Sequence, residues 1–184
     1  KIDIKIQDAI GRKWQCSTIQ CDFNLPERFE LDYISPEGDK QRPIMIHRAI
    51  FGSLERFFGI LMENTAGDFP LWLAPTQLRL VPVIDDVRDY CEEVKKAAAK
   101  LGVRVEIDNS GNRLAKQIRT AEQEKIPVVA VVGENEKNNQ ELSVRLRKGG
   151  DLGALSQEFV LNSLASAIKS NIEFSEVDGI QPTA

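Results

Sequence analysis

The 184 residues read as two successive fold types, α+β over residues 1–75 and α/β over residues 76–184. Three observations predict this. Apolar residues alternate with polar ones at the start of the chain, the period of half-buried strands. From Gln77 onward, strand-like and helix-like runs follow one another, the rhythm of a sheet covered by helices. Between the two, Phe69 to Pro75 is a short apolar stretch with Trp72 set between prolines. That is a rigid connection and the candidate domain boundary.

In the first part, Ile2, Ile4 and Ile6 alternate with Asp3, Lys5 and Gln7, which predicts a strand with one buried face. Gly11-Arg12-Lys13 marks a turn, and Trp14 to Phe23 follows as a hairpin partner. Phe29 to Ile34 alternates again and ends at the turn Pro36-Glu37-Gly38-Asp39. Pro43 to His47 is a short apolar strand. Ile50, Leu54, Phe57, Phe58 and Leu61 then take helical spacing, with Gly67 as the stop.

In the second part, Leu78 to Val83 is an apolar strand. Asp85 or Asp86 caps a helix whose apolar face is Val87, Tyr90, Cys91, Val94, Ala98 and Leu101, and Gly102 ends it. Val103 to Ile107 is a strand. Ser110 opens a helix with Leu114, Ile118 and Ala121 inward. The continuous apolar run Ile126 to Val132 suits a central, fully covered strand. Gly133 to Gln140 reads as a polar turn and Glu141 to Arg147 as an alternating strand. Ser156 caps the last helix, with Leu155 and Val160 as a hydrophobic staple. The tail after Phe174 reads as frayed.

Composition narrows the function classes. Hydrophobic residues are 42% and charged residues 28%, as in a globular chain. No apolar run approaches the roughly 20 residues of a membrane span. The chain opens at Lys1 in strand-like sequence without a leader, which reads as a segment of something longer. Cys16, Cys21 and Cys91 do not form a disulfide framework; a reducing cytoplasm is the expected setting. They read as small buried hydrophobes. His47 is the one histidine. No CxxC, HxH or HExxH spacing surrounds it, so spacing alone leaves it structural or incidental. No Ser or Cys stands in a nucleophile motif.

The net charge of −4 argues against non-specific wrapping of nucleic acid. Locally the balance reverses. Residues 113–148 hold eight basic residues, Arg113, Lys116, Arg119, Lys125, Lys137, Arg145, Arg147 and Lys148, against five acids. Lys116 and Arg119 point away from the apolar side of their helix, and Arg145 and Arg147 share a strand face. This is a modest basic patch or an ordinary solvated face.

The block Arg42-Pro43-Ile44-Met45-Ile46-His47-Arg48-Ala49-Ile50-Phe51-Gly52-Ser53-Leu54-Glu55-Arg56-Phe57 takes a strand through a small-residue turn into a helix. Such a turn lets a ligand approach the backbone. An arginine one helical turn on can stack on a base or pair with phosphate. An ordinary strand-to-helix join with a surface ion pair has the same pattern. The block resembles the third signature motif of class II aminoacyl-tRNA synthetases, in the form found in threonyl-tRNA synthetases. Trp14-Gln15-Cys16-Ser17-Thr18-Ile19-Gln20-Cys21-Asp22-Phe23-Asn24-Leu25-Pro26 resembles the strand that precedes it. Trp72-Leu73-Ala74-Pro75, Val144-Arg145-Leu146-Arg147 and Asp151-Leu152-Gly153 also match, in the same order.

The resemblance implies the C-terminal part of a class II antiparallel-sheet catalytic domain in residues 1–75 and a mixed-sheet α/β anticodon-binding domain in 76–184. It implies that Arg56 stacks on adenine and helps hold ATP, with Gln15 and Thr18 near its phosphates and ribose. Gln20 matches a position lining the threonine pocket. His47 matches one of three zinc ligands, the others lying outside the chain. An open zinc site can take a substrate amine and hydroxyl, and so separates threonine from valine where an apolar pocket cannot. Arg119, Glu136 and Arg145 match anticodon-contacting positions; arginines stack on splayed bases and carboxylates accept from base amino groups. The implied cofactor is Zn2+, and the implied substrates are ATP with Mg2+, threonine and tRNA(Thr). A homodimer would form through a region absent here, and no membrane is involved.

The family's first two signature motifs, the remaining zinc ligands and an editing domain have no match. The segment alone is therefore expected to be inactive, with uncovered apolar edges in its first part. A non-catalytic tRNA-binding module or synthetase paralogue is the competing reading. Retention of Gln15, Gln20, His47 and Arg56 together favours the enzyme.

Overall fold

The computed structural model describes residues 1–148 and 150–180. The chain divides into two compact units, Lys1–Gly67 and Asp68–Ala184.

The first unit is built on an antiparallel sheet. Its strands are β1 (Ile2–Gln7), β2 (Lys13–Asp22) and, later in the chain, β5 (Met45–Ala49), in the order β1-β2-β5. Asp8 turns the β1–β2 hairpin: its carboxylate accepts from the N–H groups of Ile10 and Arg12. Register shifts within this hairpin. Ile4 faces Ser17 but Lys5 faces Gln15, so Cys16 is an extra, bulged residue. A short helix, α1 (Asn24–Arg28), follows where the sequence suggests only connection. The alternating run after it yields just the two-residue β3 (Tyr33–Ile34), paired with β4 (Lys40–Gln41) around the expected turn.

β5 leads to α2 (Leu54–Thr65) through Gly52, which has φ +70°; a Cβ there would sit 3.1 Å from the Cys16 carbonyl oxygen. Glycine is needed both for the backbone conformation and for this approach to the bulge. The Ser17 hydroxyl also bonds the Ile50 carbonyl. Ser53 caps α2 by accepting from the Arg56 N–H. Ala66, in the left-handed conformation, and Gly67 close the helix, their N–H groups bonding Glu63 and Met62 carbonyls. β1 is exposed along its length and α2 contributes no buried residue.

The second unit is a five-stranded mixed sheet in the order β10-β9-β8-β6-β7. β6 (Leu78–Pro82), β7 (Val105–Ile107) and β8 (Val128–Val132) run parallel; β9 (Glu141–Leu146) and β10 (Gly150–Ser156) run antiparallel. The apolar run at Ile126 to Val132 does supply the central strand. A 3-10 turn at Asp85–Val87 precedes α3 (Arg88–Lys100), which has no side-chain cap from Asp85 or Asp86; Asp85 pairs with Arg88 instead. α4 (Leu114–Gln123) starts after Arg113, because Ser110 is tied into a turn by the Asp108 carboxylate. α6 (Gln157–Ser170) is capped by Ser156, as the spacing predicts.

Leu78, Leu80, Val128, Val132, Leu142 and Val144 project to one side of the sheet, into the main core with α3 and α6. Val81 and Val129 project to the other side, where they meet Leu114 and Ala121 of α4. Leu71 is fully buried in the main core, so the proline-flanked stretch packs with the second unit. Gln77 and Arg104 hold it by hydrogen bonds to the carbonyls of Leu71, Trp72, Ala74 and Pro75.

Besides the caps at Asp85, Asp86 and Ser110, several expectations differ from the structure: β1 has no buried face, and Cys21 is exposed, unlike buried Cys16 and Cys91. Gly133 to Gln140 is not a turn: it contains α5 (Glu134–Asn139). Leu101 is exposed rather than on the buried face. The tail stays packed well past Phe174, with Phe174 and Ile180 both buried; the remainder, 181–184, lies outside the described residues.

Candidate functional site

Cross-strand pairing gathers four of the first unit's candidates, Gln15, Thr18, Gln20 and His47, on one sheet face. Asp3 is opposite Thr18, Lys5 opposite Gln15, Gln20 opposite His47 and Thr18 opposite Ala49. Residues opposite each other share a face. In a regular strand Gln15 and Thr18, three apart, would point to opposite faces. The bulge at Cys16 removes that difference. Gln15 Nε2 donates to Asp3 Oδ1 and Thr18 Oγ1, and Thr18 Oγ1 donates to Asp3 Oδ1, each at 2.8 Å. The Thr18 hydroxyl lowers the Asp3 carboxyl below its usual range; a smaller burial effect opposes this and Lys1 assists.

At the other end of this face, His47 Nε2 donates to Asp22 Oδ2 at 2.9 Å. That bond, with the N–H groups of Leu25 and Asn24, holds the Asp22 carboxyl below the usual carboxylate range. Zinc takes about four ligands. Among the described residues there is no group of three or more His, Cys, Asp or Glu placed to hold a metal. Cys21 lies on the opposite face, across from Ile46. The donors in this chain therefore do not by themselves fit a zinc site.

Arg56 is not brought to the Gln15–Thr18 group. Its guanidinium carbon lies 6.0 Å from the centre of the Trp14 ring, and Trp14 stands opposite Ile6 on the other face. Arg12 lies over the same indole at 5.2 Å. The Trp14 indole N–H donates to Asp8 Oδ2 at 2.9 Å, Arg12 Nε donates to the same oxygen at 2.5 Å, and Arg12 pairs with Glu63 of α2. Burial opposes the charge of Asp8, yet these bonds hold its carboxyl at about 2. The indole beside Arg56 is thus held by one hydrogen bond, to Asp8, and by Arg12 over its ring.

In the second unit, α4 covers Val81 and Val129 but leaves the adjoining face of β9 and β10 open. A cavity of about 370 Å³ lies there, lined by Leu114, Ile118, Val131, Ser143, Arg145, Asp151 and Gly153. Arg145 is opposite Asp151 and donates to it from Nε at 2.9 Å. Glu136, third residue of α5, accepts from the Gly133 N–H and the Ser143 hydroxyl, both at 2.8 Å. Burial raises its pKa, but these two donors outweigh that and hold the carboxyl below its usual range. Ser143 therefore joins Glu136 to the cavity that Arg145 lines. Arg119 is exposed on α4, next to Ile118 but outside the lining.

The basic patch is partly neutralised. Arg147 and Lys148 both pair with Asp68, and Lys137 donates to the Asp86 carbonyl. Arg147 follows the end of β9 and bonds the Lys125 carbonyl, so it does not act with Arg145 on one strand face. Asp3, Asp22, Ser143 and Asp151 complete these clusters, and residue pattern alone did not single them out.

Two family models match successive parts of the chain. Residues 77–169 match the family described as the anticodon binding domain. Residues 1–65 match the class II tRNA synthetase core domain for G, H, P, S and T. The chain is 59% identical over 182 residues to a threonine–tRNA ligase of Synechococcus sp. (strain CC9902), covering 99% of this chain and 29% of that protein. It is 62% identical over 167 residues to the threonine–tRNA ligase of Synechococcus sp. (strain CC9605), covering 91% of this chain and 27% of that protein. A crystal structure of the RNA binding domain of threonyl-tRNA synthetase from Cryptosporidium parvum Iowa II superposes with a TM-score of 0.79 at 34% identity, over 89% of this chain and 42% of that one. The chain thus spans under a third of the length of these ligases.

Proposed function

Because this chain belongs to the class II aminoacyl-tRNA synthetases, as a threonyl-tRNA synthetase segment joining core to anticodon-binding domain, we propose that it works as part of a threonine–tRNA ligase. Residues 1–75 supply part of the ATP and threonine site, and residues 76–184 bind the anticodon of tRNA(Thr). The observation that carries this reading is the shared sheet face: Gln15, Thr18, Gln20 and His47 come from two strands and a bulge to one polar surface.

In the reaction proposed, the threonine carboxylate attacks the α-phosphate of ATP and pyrophosphate leaves. A tRNA hydroxyl then attacks the carbonyl of the threonyl-adenylate and AMP leaves. Orientation and fixed charge do most of such work. Gln15 and Thr18 orient ATP, and Gln20 borders the threonine. Arg56 keeps the adenine-stacking role that the resemblance gives it, a task that suits a planar, permanently charged group, although in this chain it rests by Trp14, apart from Gln15 and Thr18. His47 supplies one zinc ligand beside ligands from outside this chain, its ring held by Asp22. Arg145 and Glu136 meet the anticodon at the open face of β9, with Arg119 on the neighbouring helix.

Changing Arg56 to Ala in a full-length enzyme should lower ATP–pyrophosphate exchange by about 100-fold or more. Unchanged exchange would remove the ATP role and favour a tRNA-binding module without activation. No described helix is long and apolar enough to cross a membrane.

A further inference from the structure

Asp3 stands in the middle of the nucleotide-facing cluster, and neither motif nor spacing points to it. Its Oδ1 accepts from both Gln15 and Thr18, and its Oδ2 lies 3.4 Å from Lys1 Nζ. Hydrogen-bond arithmetic then fixes what the cluster can offer. A carboxamide has two N–H donors and one carbonyl oxygen, and a hydroxyl has one proton. The Gln15 nitrogen donates to Asp3 and to Thr18, and the Thr18 proton goes to Asp3. The donors of both side chains are used within the cluster, which leaves Gln15 Oε1 to meet a ligand.

We propose that Asp3 is a positioning residue: it turns the Gln15 amide so that a carbonyl oxygen, not an N–H, faces the nucleotide. This rests on the reading of Gln15 and Thr18 as ATP contacts. An acceptor in that place suits the donors of the nucleotide, its ribose hydroxyls, its base amino group or magnesium-bound water; bare phosphate oxygens would be repelled. Two features of the backbone support the arrangement. Asp3 is directly opposite Thr18, and the Cys16 bulge turns Gln15 to the same face. Asp3 is also exposed and belongs to neither buried apolar cluster, so changing it tests orientation rather than folding.

In a full-length synthetase, Asp3→Asn introduces a competing N–H and frees the Gln15 amide to turn over. The KM for ATP should rise about ten-fold, the loss of roughly one hydrogen bond. The KM for threonine and the thermal midpoint should hold. Asp3→Glu, which keeps the carboxylate, should recover most of the ATP affinity. The double variant Asp3→Asn/Gln15→Ala should match Gln15→Ala alone, because Asp3 acts through Gln15. If Gln15→Ala weakens ATP binding and Asp3→Asn does not, positioning is overturned while the ATP reading stands. Additive losses in the double variant also overturn it. An unchanged KM in Gln15→Ala would sink the ATP reading, and this inference with it.

Discussion

On β1 of the first unit, Ile2, Ile4 and Ile6 are 61%, 52% and 40% exposed; on β6 of the second, Leu78, Leu80 and Val81 are fully buried. Both strands are apolar, and they differ in what covers them. β6 has α3 and α6 on one side and α4 on the other, whereas β1 and α2 show their apolar residues to solvent. Burial contributes roughly 25 cal/mol per Å² of apolar surface, so packing stabilises the second unit far more. The first unit relies more on polar ties such as Asp8–Trp14, Asp8–Arg12 and Arg12–Glu63. In both units the candidate site occupies the open part of a sheet face. What differs is whether the sheet beneath it is held by a core or by hydrogen bonds.

Core truncation breaks this comparison most sharply. Leu80→Ala should destabilise the second unit by about 2–5 kcal/mol, while Ile4→Ala should stay within about 0.5 kcal/mol. Denaturant unfolding of the two variants checks this, and equal losses would show that the exposed face of β1 is not what it is taken to be. Acid gives a smaller effect of opposite emphasis. Asp8 has its pKa lowered to about 2 from the ordinary 3.8. Its bonds therefore stabilise the folded state above about pH 4, and that contribution is lost as the pH falls toward 2. Trp14 fluorescence should change across this window, read against a Trp14→Phe variant that leaves Trp72. Asp8→Asn should remove the pH dependence.

The fold was legible where apolar residues are buried periodically. β6, β8 and α6 follow directly from such runs. Glu134–Asn139 has no buried residue, so nothing apolar announces α5. β10 contains Gly150 and Gly153, and its register shifts between Asp151 and Gly153; alternation is broken there. Phe174 and Ile180 are too isolated in sequence to signal that the tail is anchored. The candidate site was named by resemblance rather than by periodicity. A bulge leaves no mark in alternation, so the meeting of Gln15 with Thr18 could not be read from their spacing. Asp3 could have been found by counting back across the hairpin from the turn at Asp8 to Arg12, but the shift at Cys16 defeats that count.

The central claim is a division of labour, with activation in the first unit and anticodon recognition in the second. One preparation of full-length Arg145→Ala enzyme tests it most directly. Arg145 lines the cavity between α4 and β9, with Asp151 opposite. Its loss should weaken tRNA(Thr) binding about ten-fold, the scale of one charge-assisted contact, and leave ATP–pyrophosphate exchange at the wild-type rate. Unchanged tRNA affinity, or a fall in exchange, would contradict the division.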